Sequence, residues 1–539
     1  MPGILLTTLN ARYSHSAFGL RYLKANLREL SDQAQILEFT INQNPRDIVE
    51  SILEQNPVIL GIGVYIWNTR QTLEIVSHLK KIRPSIKIVL GGPEVSYETQ
   101  LQEICRLADL TVQGEGEDVF YEVCREYLDK GVWPATKQLT GVIPDVQRLK
   151  LPYSLYTDED VRNRVIYVEA SRGCPYKCEY CLSSLDKSVR SFPLESFLSE
   201  MDALILRGAR QFKFVDRTFN LSVSTSSRIL DFFLERMNHG LFLHFEMVPD
   251  RLPEELRKRI QQFPAGSLQF EVGIQTWDAE VAKLVSRRLD KEKTRDNFQF
   301  LVESTGVHIH ADLIAGLPGE TLESFARGFD SVSQLKPHEI QVGILKRLRG
   351  TPIIRHDAEW GMLYQEQAPY TVLQTRTMSF QTLQDIGRFA HFWDLIANSG
   401  NFKETLAYLR HRAAARQDGS LFWQFWDLAR FLSVRHPQGH GIALIRLLES
   451  MWEYLRSLPG VDPDSIRAML LRDYTGTVSR DIPAFLRSEQ HNLAPRKQRS
   501  EPRGSTPSRQ ARHIGPLTSG LERRPEALSK PVIPHSSTP

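Results

Sequence analysis

The sequence predicts an α/β chain in three parts: a doubly wound (Rossmann-like) parallel-sheet domain, a partial (βα)6 barrel, and an α-helical C-terminal extension ending in a disordered tail. Three observations predict it. Short apolar runs alternate with amphipathic stretches twice over, first between Gly3 and Val112 and again between Val165 and Leu345. Beyond Pro369 the strand-type runs fade and aromatic residues recur at helical spacing. From Ala494 onwards Pro, Ser and Arg dominate and apolar residues thin out. The expected boundaries are 1–130 for the first domain, 131–160 for a linker, 161–360 for the barrel, 361–490 for the helices and 491–539 for the tail.

Composition agrees with several packed cores. The chain has 539 residues, 41% hydrophobic and 24% charged, with a net charge of +3. That balance makes no electrostatic case for nucleic-acid binding by the folded body. No apolar run approaches the ~18 residues that span a bilayer, and the N-terminus lacks a charged n-region, so a soluble cytoplasmic protein is expected. Five cysteines, three of them clustered, argue against a disulfide framework. Cys105 and Cys124 are expected to be small buried hydrophobes.

In the first domain, strands are expected at Gly3–Leu9, Ala34–Phe39, Val58–Tyr65, Ile86–Leu90 and Leu110–Val112, with helical patterns at 17–30, 45–54, 69–82 and 97–108 between them. Such alternation implies a parallel sheet covered on both faces, with ligands at the carboxyl ends of its strands. Those ends carry Asn10 to His15, Gly61 to Asn68, Gly91-Gly92-Pro93-Glu94 and Gly114-Glu115-Gly116-Glu117. Any one glycine pair is a tight turn on its own terms. Four polar tips along one edge make a binding site.

The stretch from Gly131 to Tyr153 carries scattered prolines and no periodicity, hence the linker. The second repeat then places strands at 165–169, 211–215, 241–247, 267–274, 307–314 and 340–345, a partial barrel in the TIM manner with chemistry at the C-terminal strand ends. After the first of these strands comes Glu169-Ala-Ser-Arg-Gly-Cys174-Pro-Tyr-Lys-Cys178-Glu-Tyr-Cys181. Three soft thiolates in eight residues ask for a metal, zinc or an iron-sulfur cluster. A structural zinc site would want a fourth ligand, and no fourth cysteine lies nearby.

The spacing C-x3-C-x2-C, with Tyr180 before the last cysteine, resembles the radical S-adenosylmethionine (SAM) enzymes. In them three cysteines bind a 4Fe-4S cluster, here Cys174, Cys178 and Cys181, and the fourth iron takes the amino-acid end of SAM. The later strand ends resemble the branch containing coproporphyrinogen dehydrogenase and the methylthiotransferases. On that resemblance Glu246, Gln275, Arg287 and Asp312 hold the amino-acid and ribose parts of SAM. Asp216 stands where many relatives use a Gly-Gly-Glu run for the methionine amine. Gly316-Leu-Pro318-Gly319 reads as a turn rather than a phosphate cradle.

The order of L-G-G-P and G-E-G-E in the first domain resembles the cobalamin-binding domain that precedes many radical SAM cores, which makes Gly91, Gly92, Gly114 and Gly116 candidate cofactor residues. The Asp-x-His-x-x-Gly loop that supplies a lower cobalt ligand is absent. His15 is therefore expected to line the pocket or to be structural, with no histidine ligand to cobalt.

In the extension, Phe389, Phe392, Trp393 and Ile396, then Phe422, Phe425, Trp426 and Ala429, fall on helical faces and are expected to be core. This extension resembles one appended to a subset of cobalamin-binding radical SAM proteins of unassigned substrate, and it is placed to cover the open side of the barrel. The basic tail is expected to be solvated.

The resemblance thus implies a cobalamin-dependent radical SAM methyltransferase acting on a small molecule or peptide, with an external electron donor of flavodoxin or ferredoxin type. Two alternatives within enzymes are a cobalamin-linked cyclase or rearrangement enzyme and a methylthiotransferase, which needs a second cluster on N-terminal cysteines. A non-enzymatic iron-sulfur sensor would have no use for Glu246, Gln275, Arg287 and Asp312.

Overall fold

The computed structural model of the chain describes residues 3–476, 482–487 and 506–514. Strands β1 (Ile4–Asn10), β2 (Ala34–Thr40), β3 (Ile59–Gly63), β4 (Lys87–Gly91), β5 (Leu110–Gln113) and β6 (Gln138–Thr140) form a parallel sheet in the order β2-β1-β3-β4-β5-β6. Alternation along each strand sorts its side chains into two layers. Leu5, Leu9, Leu60, Ile62, Ile88 and Leu90 belong to one core, and Ile4, Leu6, Ile59, Val89, Leu110 and Val112 to the other. The strand order reverses direction between β1 and β3, the switch point at which open α/β sheets bind ligands.

Three details differ from expectation. β6 lies within the stretch expected to be a linker and adds an edge to the first sheet. The helix expected over 17–30 is Phe18–Ala25 followed by a tighter turn at Arg28–Gln33. Over 97–108 only Glu103–Leu107 is α-helical, because Glu98 at φ +52° breaks the run and Thr99–Leu101 makes a separate tight turn.

The second sheet contains β7 (Ile166–Val168), β10 (Gln211–Phe214), β11 (Phe242–Met247), β12 (Leu268–Gln275), β13 (His308–Ala315) and β14 (Glu339–Ile344), all parallel, in the order β14-β13-β12-β11-β10-β7. A small antiparallel ribbon, β8 (Ser171–Arg172) with β9 (Arg190–Ser191), brackets the cysteine loop. The sheet is an open barrel with free edges at β7 and β14.

The first domain reaches both edges. Beside β7, the carbonyl of Ser14 accepts from the Val165 N–H at 3.0 Å, and the Tyr167 hydroxyl meets His15 Nδ1 at 2.9 Å. Beyond β14, Arg349 pairs with Glu94 at 3.0 Å and with Glu98 at 2.9 Å. The barrel opening is thus spanned by the first domain.

The helical extension, expected to cover that opening, instead buttresses the β14 edge. Its Asn398 side chain accepts from the Ile340 N–H and donates to the Ile340 carbonyl, both at 2.9 Å, which satisfies main-chain groups that an edge strand leaves unpaired. Phe389, Trp393 and Phe422 pack with Phe329 of the barrel helix Leu322–Gln334, and Phe425 packs behind them on Phe389 and Trp393. They are core, continuous with the apolar layer between the barrel sheet and its helices.

Of the tail expected to be disordered, residues 506–514 form a segment with a short helix, Ser508–His513, that docks under the barrel. Gln510 donates to Gln269 at 2.9 Å and Arg509 pairs with Glu339 at 2.8 Å. Residues 491–505 and 515–539 of that tail lie outside the described residues. Among the described residues no helix is long and apolar enough to cross a membrane.

Candidate active site

The barrel interior is polar at alternate positions. Glu271, Gly273 and Gln275 of β12 and His310 and Asp312 of β13 share one face, and their apolar neighbours pack outwards under the helices. This polar column opens at the C-terminal strand ends into a cavity of about 270 Å³. Cys174, Cys178, Cys181, Glu246, Gln275, Arg287 and Asp312, five separate stretches of sequence, all line it. Among the described residues no three His, Cys, Asp or Glu side chains gather as a site for a single metal ion. The thiols instead share the lining of one cavity, an arrangement suited to a polynuclear cluster whose corners stand apart.

Local structure holds the cysteine loop in shape. Gly173 has φ +90°, and a Cβ there would stand 1.9 Å from the Ser188 carbonyl, so no other residue lets the two strands of the loop approach. The Cys174 N–H donates to the Asp186 carbonyl at 2.9 Å. Burial pushes the Cys174 thiol up, a penalty that metal coordination removes.

Glu179, inside the loop, faces away from the cavity. It accepts from Ser286 at 2.6 Å, from Arg355 at 2.6 and 2.7 Å, and meets His356 at 3.0 Å. Burial works against its ionisation, but Arg355, Ser286 and His356 outweigh it and hold the carboxyl below its usual range.

The candidate SAM residues carry unequal charge. Glu246 pairs with Arg217 at 3.0 Å. Burial raises its carboxyl, with Arg217 opposing the rise. Glu271 is buried too, yet His244 at 2.9 Å and Lys213 at 3.4 Å hold it well below the usual carboxylate range. Asp312 goes the other way: burial, then the charges of Glu271 and Glu246, push it well above its ordinary value. Its Oδ1 is buried without a hydrogen-bond partner, although His310 Nε2 lies 3.3 Å away in poor geometry. An orphaned acceptor on the cavity wall is what an absent polar ligand leaves.

Gln275 sits at a bulge where β12 and β13 change register, with φ +71°. Arg287 secures this bulge by donating to the carbonyls of Gly273 and, at 2.9 Å, Ile274, and its Nη1 lies 3.4 Å from Cys178 Sγ and from the Tyr180 hydroxyl. Asp216 departs from expectation. It does not line the cavity; its carboxylate accepts from the Ala170 N–H at 2.9 Å and the Ser171 hydroxyl at 2.6 Å, bracing the start of the cysteine loop from β10. Burial raises it to about 6. With both oxygens engaged by the chain, it is a brace and not a group presented to a cofactor.

In the first domain Gly91, Gly92, Gly114 and Gly116 line a slot of about 190 Å³, with Gly61, Gly63, Leu20, Val112 and Phe120 among its other walls. A Cβ on Gly91 would meet nothing nearer than 4.0 Å, so it would project into the slot. No histidine lines it. His15 is engaged instead with Tyr167 and does not reach the slot.

Sequence reasoning missed what joins the two sites. Arg172, two residues before Cys174, contacts Glu115 and Glu117 of the slot-lining loop, each at 2.7 Å, and Glu169 at 2.9 Å. Nothing local marks these partners. Glu271 and Arg217 were missed as well, but Glu271 was discoverable, since it shares the inward phase of Gly273 and Gln275.

Known proteins agree with this layout. Family models described as B12 binding domain, Radical SAM superfamily, and a protein of unknown function (DUF4080) match residues 4–124, 168–331 and 358–508. An uncharacterized methyltransferase of Pyrococcus horikoshii is 25% identical over 336 residues, covering 57% of this chain and 70% of its own. The cobalamin-dependent radical SAM methyltransferase TokK of Streptomyces tokunonensis is 22% identical over 468 residues, covering 77% of this chain and 63% of its own.

Among solved structures, the cobalamin-dependent SAM radical enzyme OxsB superposes with a TM-score of 0.60 at 14% identity, over 91% of this chain and 84% of its own. The radical SAM methyltransferase TsrM of Kitasatospora setae does so at 0.54 and 19%, over 68% and 76%. The chain thus carries a domain matched by the Radical SAM superfamily model behind one matched by the B12-binding model. Its similarity to proteins named as cobalamin-dependent methyltransferases places it beside that group.

Proposed function

We propose that this chain methylates an unactivated carbon of a small molecule or peptide, using a 4Fe-4S cluster, SAM and cobalamin. The observation that carries the reading is the convergence of Cys174, Cys178, Cys181, Glu246, Gln275, Arg287 and Asp312 on one cavity, tied through Arg172 to a glycine-floored slot in the first domain. When bound, the cluster supplies the electron that cleaves SAM to methionine and a 5′-deoxyadenosyl radical, and cobalamin carries the methyl group.

The protein's own residues bind, orient and protect. Cys174, Cys178 and Cys181 would hold the cluster through their thiolates. Glu246, with Arg217 beside it, offers a charged pair to the ammonium and carboxylate of SAM. Asp312, which burial and its acidic neighbours make hold its proton more tightly, turns an unpartnered oxygen to the cavity for the ribose. Arg287 fixes the Gln275 bulge, and Glu179 and Asp216 fix the cysteine loop from opposite sides. The slot would suit one arm of cobalamin where the chain lacks side chains, and no histidine lines it.

A methylthiotransferase reading is disfavoured by one observation. Cys105 and Cys124 are buried in the two opposite layers of the first sheet and so do not converge on a second cluster. Anaerobic reconstitution tests the proposal. About four irons and one cobalamin per chain, 5′-deoxyadenosine formed under reductant, and label passing from methyl-labelled SAM to a cell extract are expected. Reconstituted protein that holds its cluster yet releases no 5′-deoxyadenosine and transfers no label would sink it.

A further inference from the structure

Outside the active cavity, a groove of about 770 Å³ runs between the cysteine loop and the segment following β12. Five cations and one carboxylate line it. Lys177 of the cysteine loop, Lys283, Arg288 and Lys291 form no ion pair among the described residues, and Lys177, Lys283 and Arg288 are exposed. The single acid, Asp278, is occupied in capping the helix Ala279–Leu284, where it accepts from the N–H groups of Glu280 and Val281. The floor is aromatic: Trp277 is buried, with the Lys291 ammonium 5.7 Å from its ring centroid. Tyr176 and Arg288 line both this groove and the active cavity, so the groove's inner wall is the outer wall of the cysteine site.

The groove also has a direction. The first domain meets the barrel at Val165, Arg172, Arg347 and Arg349, and none of its hydrogen bonds or ion pairs among the described residues reaches the groove. On the function proposed above, substrate and cobalamin enter from the side that the first domain covers. The groove offers a separate, solvent-facing approach to the cysteine loop, with unneutralised positive charge around an aromatic floor.

We infer that this groove is the docking surface for an acidic one-electron carrier protein. The inference rests on the reductive reading of the site given above. Each encounter passes one electron: the carrier is oxidised by one, and the electron is consumed when the carbon-sulfur bond of SAM breaks to give methionine and the 5′-deoxyadenosyl radical. Complementary charge steers such small, transient contacts and gives them a steep salt dependence.

The test compares two reductants on reconstituted full-length protein: dithionite, which needs no docking surface, and a reduced acidic flavodoxin. Two variants are used, K283Q/K291Q and K283E/K291E, both leaving the cysteine loop intact. With flavodoxin, SAM cleavage by either variant is expected to fall about tenfold or more, and flavodoxin binding to lose most of its salt dependence. With dithionite, both should cleave SAM at the wild-type rate. Wild-type flavodoxin binding and turnover in both variants would overturn the proposal. So would a loss of label transfer with dithionite while SAM cleavage persists, because the groove would then be holding substrate. If the wild-type protein cleaves no SAM even with dithionite, the reductive reading fails first and the docking proposal falls with it.

Discussion

Arg172 Nη1 lies 2.7 Å from Glu117 Oε1, across a sequence separation of 55 residues, and joins the loop carrying the three cysteines to the loop lining the glycine slot. The pair is nearly buried, with side-chain exposures of 13% and 6%, and the guanidinium also lies 4.5 Å from the Tyr22 ring centroid. Three carboxylates, Glu115, Glu117 and Glu169, share this one cation.

Replacing Arg172 by Ala therefore leaves Glu117 and Glu169 without their counter-charge, while Glu115 keeps Arg190. Breaking a buried pair from one side costs about 3–5 kcal/mol. The variant is expected to melt earlier and to bind cobalamin about tenfold more weakly, because the slot loop loses its anchor. Calorimetry and a cobalamin titration check this; wild-type values in both would show that the pair does not couple the sites.

Gly91→Leu probes the slot alone. The added side chain enters open space, so stability should change by less than about 1 kcal/mol while cobalamin binding is lost and iron content stays at the wild-type level. Retained cobalamin in this variant would place the cofactor elsewhere.

Asp473 tests the helical extension. Its carboxylate accepts from the Glu404 and Thr405 N–H groups, each at 2.9 Å, at the start of the helix Lys403–Ala414, and burial pushes it up to about 6. A raised carboxyl binds its proton more tightly in the folded chain, so its contribution is fully present below pH ~4 and is lost as pH rises through about 6. This one group gives a decline of up to about 3 kcal/mol over that window. Asp473→Asn should flatten that part of the pH-stability profile measured by denaturant unfolding, and an unchanged slope would refute the assignment.

His338 gives the opposite sign. Its Nδ1 accepts from the Ile309 N–H at 3.0 Å, so the ring is held neutral, and burial, with His308 and His513 beside it, lowers it to about 3. The stability it supports is present above pH ~6.5 and is lost as pH falls towards the folded value, by about 1.4 kcal/mol per pH unit. His338→Asn, which keeps an acceptor near Ile309, should remove that acid sensitivity in melting curves at pH 7, 6 and 5. A variant as acid-sensitive as the wild type would argue against it.

What the sequence by itself determined was whatever depends on neighbours along the chain. Strands β1 to β5 and all six strands of the barrel sheet are legible because apolar runs of strand length alternate with helical periods. The cysteine loop is legible because three soft ligands lie within eight residues, and Gln275 and Asp312 because their stretches resemble the SAM-binding strands of the coproporphyrinogen dehydrogenase branch.

Tertiary structure alone decided which charges meet. Arg172 with Glu117, Arg355 with Glu179 and Arg349 with Glu94 are separated by 55, 176 and 255 residues, and no local pattern pairs one surface-type residue with another at such distances. It also turned Asp216 from a cofactor residue into a brace, placed the first domain across the barrel opening, and set the helices against the β14 edge. The physical reason is the same in each case. Backbone periodicity and burial are encoded over a few residues, whereas an ion pair or an edge contact exists only once the packed layers have brought distant segments together.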